Sequence, residues 1–263
     1  MKAALKSTVK AAVKAAVKAA VKAAVVAGVL ALVAASAQAQ SIKRTADGKP
    51  NLAGTWQGGG VSLTGEPGTR PALPPPAIPP PPREALAYQA WAAERNKQLN
   101  MTNDPIAHCL LPGVPRVITM PMPLEIVQTP QKIVILYEAF RAYRIIPLND
   151  QLKHPDDLVP TWMGDSVGKW DGDTLVVDVV GFNDRTWLTG TPSVHSEDLH
   201  VVERYRLGPD GTIAYTATVT DPKALTKPWT TGLTLRTPPN ARVEEYECIE
   251  NNLDIPHMPA AAK

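Results

Sequence analysis

The stretch "VGKWDGDTLVVDVVGF", Val167–Phe182, decides how the chain is read. Val167–Lys169 and the valine-rich run "LVVDVVGF" flank "WDGDT", and an Asp-Gly pair between two strand-like runs marks a hairpin. A period of two broken by turns predicts antiparallel strands rather than βαβ units. From residue 116 onward the same signature recurs in "LEIVQT", "KIVILYEAF", "AYRIIPL", "LHVVERYRL", "TIAYTATVTD", "GLTLRT" and "RVEEYECIE", with "TPQK" and "GPDGT" as further turns. Together with "VGKWDG", "DTLVVDVVGF" and a first strand around Trp56, the total is about ten strands. The expected fold is all-β. A meander of that length loses its exposed edges by closing into an up-and-down antiparallel barrel, and barrels of this size hold one small ligand.

Residues 1–39 differ in kind from the rest. They carry six lysines and no acid, then the apolar run "AAVVAGVLALVAASA", Ala23–Ala37, and end in "AQA" before Gln40. The run falls short of the roughly 20 residues of a membrane-spanning helix, so it reads as a cleavable secretory signal cut after Ala39. A retained anchor or transit peptide is the alternative. The expected location is the periplasm or the medium, with no stable membrane insertion after cleavage. Removing six of the 27 basic residues leaves 21 against 25 acidic ones, and a mildly acidic chain without a basic stripe excludes nucleic acid as partner. Two cysteines, Cys109 and Cys248, permit one pairing in an oxidising compartment, a disulfide; two buried free thiols are the alternative.

About 224 residues remain, enough for one substantial core. Residues 40–100 hold the first strand, a polyproline connection and a helix, residues 101–263 the barrel, and 40–263 are expected to fold as one unit. Nine prolines among the sixteen residues Pro67–Pro82 lack the amide donors a sheet requires and read as a surface connection. "REALAYQAWAAERNKQL", Arg83–Leu99, is the one convincing helix, with Leu86, Ala90, Ala93 and Lys97 on one face.

Candidate chemistry gathers around "HSEDLHVVERY", His195–Tyr205. Alternation puts Leu199, Val201, Glu203, Tyr205 and Leu207 on the apolar face of a strand, and His200, Val202, Arg204 and Arg206 on the solvent face. A carboxylate on the apolar face must meet a cation or stay protonated, so Glu203 is either an internal ion pair, with Arg141 or Arg144, or a general acid or base. His195, in the loop before the strand, is a candidate base oriented by Asn183 or Asp184; its alternative is a turn-capping role. Asp165, Ser166, Tyr137 and Trp187 are candidate substrate contacts. The tryptophans, including Trp162, Trp170, Trp187 and Trp229, either stack on a ligand at the barrel rim or plug its ends. His195, Asp198 and His200 lack the helical spacing of a zinc motif, so no metal is expected, and with no nucleophile elbow, dinucleotide fingerprint or phosphate loop no cofactor is implied.

Two resemblances follow, the first on a tripeptide and the second on longer motifs. "GTW" near the start of a β meander is similar to the lipocalin and calycin group, which implies a tryptophan closing one barrel end against a late basic residue, here Arg236 or Arg242. Far more of the chain resembles a large family of uncharacterised exported bacterial proteins. The shared motifs are "DGKPNLAGTW", "CLLPGVPR", "PLEIVQTPQKIVILYE", "TWMGDSVGKWDGDTLVVDVVGFNDRTWLT", "VHSEDLHVVERYR" and "TDPKALTKPWT". Val194 stands where that pattern has proline, and Thr189 where it has an acid. No single activity attaches to the family. The expectation is a calycin-like barrel that takes up a small, mostly apolar organic molecule, with His195, Glu203 and Asp184 catalysing a cofactor-independent lyase, isomerase or hydrolase reaction. A non-catalytic ligand-binding protein and a structural envelope protein are the alternatives.

Overall fold

The computed structural model describes residues 42–58, 74–82 and 84–250; the signal expected at residues 1–39 lies outside them. Among the described residues nine strands form two antiparallel sheets, each in sequence order. The first contains β1 (Gly54–Trp56), β2 (Leu124–Gln128), β3 (Lys132–Tyr137) and β4 (Tyr143–Pro147). The second contains β5 (Asp165–Asp171), β6 (Thr174–Val180), β7 (His200–Leu207), β8 (Ile213–Thr220) and β9 (Trp229–Leu235). The founding hairpin is β5–β6: Asp171 pairs with Thr174, and Gly172 turns the chain at φ +57°.

The expected continuous ten-strand barrel is not what forms. The two ladders stay separate and touch at one bridge on each side, Gln57 with Arg236 and Leu148 with Gly168. "RVEEYECIE" is not a strand. Pro238 and Pro239 interrupt the chain after β9, and the segment beyond them is held by side chains: Arg141 pairs with Glu247 at 2.8 Å, Phe140 stacks edge-on against Tyr246, and Cys248 bonds to Cys109. The Glu244 N–H also donates to the Glu138 carboxylate at 2.9 Å, so the segment lies against the 138–141 turn and makes no ladder.

One apolar core joins both sheets, from Leu52 and Trp56 through Ile133 and Ile135 to Val177, Val201 and Leu235. Trp56 donates its indole N–H to the Leu52 carbonyl at 2.9 Å. Neither arginine of the calycin expectation meets it: Arg236 reaches the Pro74 carbonyl at 2.9 Å and Arg242 pairs with Glu244. Nor is the described part of the proline-rich run a bare linker. Pro81 packs so closely on Gly232 of β9 that an added Cβ would lie 2.6 Å from it, and Trp229 donates to the Glu84 carbonyl at 2.9 Å.

The helix α1 spans Ala90–Gln98, starting later than the sequence suggests. Ala87 and Gln89 spend their backbone groups on the 224–226 turn, with Thr226 N–H donating to Ala87 and Gln89 N–H to Ala224, each at 2.8 Å. Its buried residue is Ala92, so the inward face is not the one expected, and Leu86 lies outside the helix. Trp91, Arg95 and Leu99, spaced by four, share one flank at the end of the second sheet. Among the described residues no helix is long and apolar enough to cross a membrane.

Candidate functional site

A pocket of about 240 Å³ opens where that flank meets the loop between β6 and β7. The loop contributes Asp184, Arg185, Thr186, Trp187, Val194 and His195, and the turns after α1 contribute Asn103 and Pro105. The loop is held from below by a buried pair: Arg116 donates two hydrogen bonds to the Asp104 carboxylate, at 2.7 and 2.6 Å, with its guanidinium 5.9 Å from the Trp187 ring. Asp104 also accepts from the Ile106 N–H at 3.2 Å, which fixes the turn carrying Pro105. Such bidentate pairing sets orientation as well as distance.

At the base of the pocket lies His195, 2% exposed. Its Nδ1 is 2.9 Å from the Ser196 carbonyl, an acceptor only, so Nδ1 carries the proton. Nε2 is then a lone pair, and it accepts from the Thr186 hydroxyl at 2.7 Å. Burial lowers the His195 pKa against the opposing pull of the Ser196 carbonyl and the Asp221 and Asp184 carboxylates. The ring therefore stays neutral at physiological pH and presents a base to a hydroxyl, the geometry by which proton transfer or hydroxyl activation is arranged. The residue that orients His195 is Ser196, through its carbonyl, and not Asp184 or Asn183. Ser196 in turn is clamped by Asp221, which accepts from its N–H at 2.6 Å and its hydroxyl at 2.8 Å.

The other expected site residues are dispersed. Asp184 and Trp187 line the pocket, while the Asn183 side chain accepts from the Arg185 N–H at 3.2 Å in a local turn. Glu203 does not line it. That carboxylate is fully buried between the sheets, where Arg144 reaches it at 2.6 Å and the Tyr205 and Tyr215 hydroxyls donate to its other oxygen at 3.1 and 2.8 Å. Ser166 accepts from Arg144 at 2.8 Å in the same network. Burial acts to lower the Arg144 pKa, but the Glu203 carboxylate together with Tyr137 and Tyr205 outweighs it and the net direction is up. Tyr137 is buried beside them, its pKa pushed up to about 12 by burial. Asp165 lies elsewhere, bonded to His154 Nδ1 at 3.0 Å; the same ring meets Asp178 through Nε2 at 3.0 Å, and His200 meets Asp178 at 2.7 Å.

Thr186, Arg95, Arg185, Trp91 and His154 were not singled out by sequence. The spacing of Trp91, Arg95 and Leu99 on one flank was a usable signal; nothing local marks Thr186 as the partner of a histidine nine residues on. An open groove of about 420 Å³ on the second sheet, lined by Lys169, Trp170 and Arg204 among others, has Arg204 already drawn to Asp171 at 3.7 Å. Among the described residues no group of three or more His, Cys, Asp or Glu side chains is arranged to hold a metal ion. No protein-family model, curated protein or solved structure matches the chain.

Proposed function

We propose that this is an exported, calycin-like protein that binds a small organic molecule in the His195 pocket and moves a proton on it without a cofactor. The observation that carries the reading is the neutral His195 with its Nε2 lone pair on the Thr186 hydroxyl, at the base of a pocket walled by Trp91 and Trp187. A concave site combining aromatic walls with a few convergent polar groups is the ordinary form of a small-molecule site. In this reading Thr186 passes its proton to Nε2 while taking one from a substrate carbon, and His195 returns a proton to another substrate atom or to a departing group. Alternatively, Thr186 attacks an acyl carbon as it yields its proton to Nε2, that proton leaves with the expelled alcohol or amine, and a water molecule then cleaves the acyl ester on Thr186 to the free acid. The first gives lyase or isomerase chemistry, the second hydrolysis.

The same proposal takes the two sheets as halves of an up-and-down barrel, places the chain with the exported bacterial family that it resembles, and cuts its leader after Ala39. It leaves Glu203 to the core and moves the ligand from the barrel interior to the sheet end.

The test is a fragment screen by NMR that follows the indole N–H signals of Trp91 and Trp187. Hits are expected to move both, and turnover of a hit that carries an acidic C–H or an ester is expected to vanish in His195→Gln while binding survives. Hits that leave both indoles unmoved would count against the site. Turnover that persists in His195→Gln would count against the chemistry.

A further inference from the structure

Two arginines line the pocket. Arg44, Arg116, Arg141, Arg144, Arg204 and Arg242 each have a carboxylate within 4 Å. Arg95 of α1 and Arg185 of the β6–β7 loop both line the pocket and, like Arg206 and Arg236 outside it, form no ion pair among the described residues. Arg95 is half-buried, and Arg185 is poised with its guanidinium 6.0 Å from the Trp162 ring. Stacked on an aromatic face, a guanidinium keeps its edge donors free for a planar anion.

The aromatic walls are equally constrained. Trp91 is 48% exposed, a large apolar ring left open to solvent, yet its indole N–H is bound to the Lys223 carbonyl at 2.6 Å. Trp187 is buried, with the Arg116 guanidinium 5.9 Å from its ring. Both rings line the pocket with their rotamers already set, Trp187 buried and Trp91 open to solvent, so an aromatic wall costs little to organise around a flat ligand. Leu99, Pro105 and Val194 complete an apolar lining, and Asp184 is the single acid on the rim.

We infer that the pocket selects a planar organic carboxylate, an aryl or conjugated acid, over the neutral compound of the same shape. The ring lies between Trp91 and Trp187 and the carboxylate faces Arg95 and Arg185. This inference rests on the pocket being the ligand site. It adds the charge and flatness of the ligand, which an apolar cavity between the sheets would not require.

The experiment uses the mature protein and a defined set of probes: benzoate, 4-hydroxybenzoate and 4-hydroxycinnamate, each against its primary amide. Binding is followed by tryptophan fluorescence and by the indole signals of Trp91 and Trp187. At least one acid should bind at least tenfold more tightly than its amide, and raising the salt should weaken the acid but not the amide. Arg95→Gln and Arg185→Gln should each cost about tenfold for the acid and leave the amide unchanged, the loss of one charge-assisted contact. Asp184→Asn should tighten acid binding severalfold, a gain that a merely structural role would not produce. If acids and amides bind alike at these two indoles, the inference fails and the pocket stands. If no probe moves either indole, both fail together.

Discussion

Glu203 sits where strand alternation puts it, on the apolar face of β7, and its charge is tolerated there because Arg144 faces it from β4 of the other sheet. Removing one member of such a pair leaves an uncompensated buried ion, which typically costs about 3–5 kcal/mol. Glu203→Leu should therefore lower the urea midpoint sharply, and adding Arg144→Met should recover most of the loss; an unchanged midpoint in the single variant would refute the ion pair's structural role. A second residue-scale effect concerns His200. The hydrogen bond to Asp178 raises the His200 pKa against the opposing effect of partial burial. For Asp178, burial acts upward, but the bonds to His200 and His154 prevail and the net shift is down. A raised histidine contributes stability that is fully present below its unfolded value of about 6.5 and is lost as pH rises through its folded value. A lowered aspartate contributes above its unfolded value of about 3.9, and that contribution fades as pH falls through the folded value. Stability from this contact should thus peak between roughly pH 4 and 6.5 and decline on the alkaline side. His200 is exposed enough that the amplitude should stay below about 1 kcal/mol. Urea midpoints across pH should show that alkaline decline, and His200→Asn should flatten it.

At the scale of elements, the strands were legible and the partners of irregular segments were not. Period two located β2 to β9 closely, because a half-buried strand must alternate whatever it packs against. The same reading misled at residues 242–250, where Tyr246 and Glu247 meet the 138–141 turn and no neighbouring strand supplies a ladder. Helix propensity carried α1 too far back, since tertiary bonds to the 224–226 turn claimed the backbone of Ala87 and Gln89 first. The turn bearing Gly113 shows how an element can set the candidate site from a distance. Gly113 has φ +75°, and a Cβ there would stand 2.6 Å from the Thr186 Oγ1 and 2.9 Å from its Cβ. Gly113→Ala should push Thr186 off His195 and cost about 1–3 kcal/mol from strain and overpacking combined. NMR of the His195 ring nitrogens, with a thermal melt, checks both; an unshifted Nε2 signal would mean that the Thr186 contact does not depend on this glycine.

At the scale of the molecule, residues far apart in sequence are tied by the core and by the Cys109–Cys248 disulfide, which spans 139 positions. A disulfide accords with an oxidising compartment, and with cleavage after Ala39 it makes a single mass prediction. Under the proposed export the protein should begin at Gln40 and weigh two hydrogens less than its reduced form; a start elsewhere or a reduced chain would contradict one half or the other. The sequence by itself determined that the protein is built of antiparallel strands in chain order, which faces of those strands are apolar, and that Glu203 points inward, because each comes from local alternation and turn chemistry. It also singled out His195, Asp184 and Trp187, three residues that the pocket does bring together. Only the tertiary structure decided that the strands make two ladders meeting at single bridges, and that Glu203 is claimed by Arg144, Tyr205 and Tyr215. It alone set Thr186, Arg95 and Trp91 beside His195. Those outcomes depend on which distant groups satisfy a buried charge, a ring nitrogen or a strand edge, and no periodicity along the chain encodes that choice.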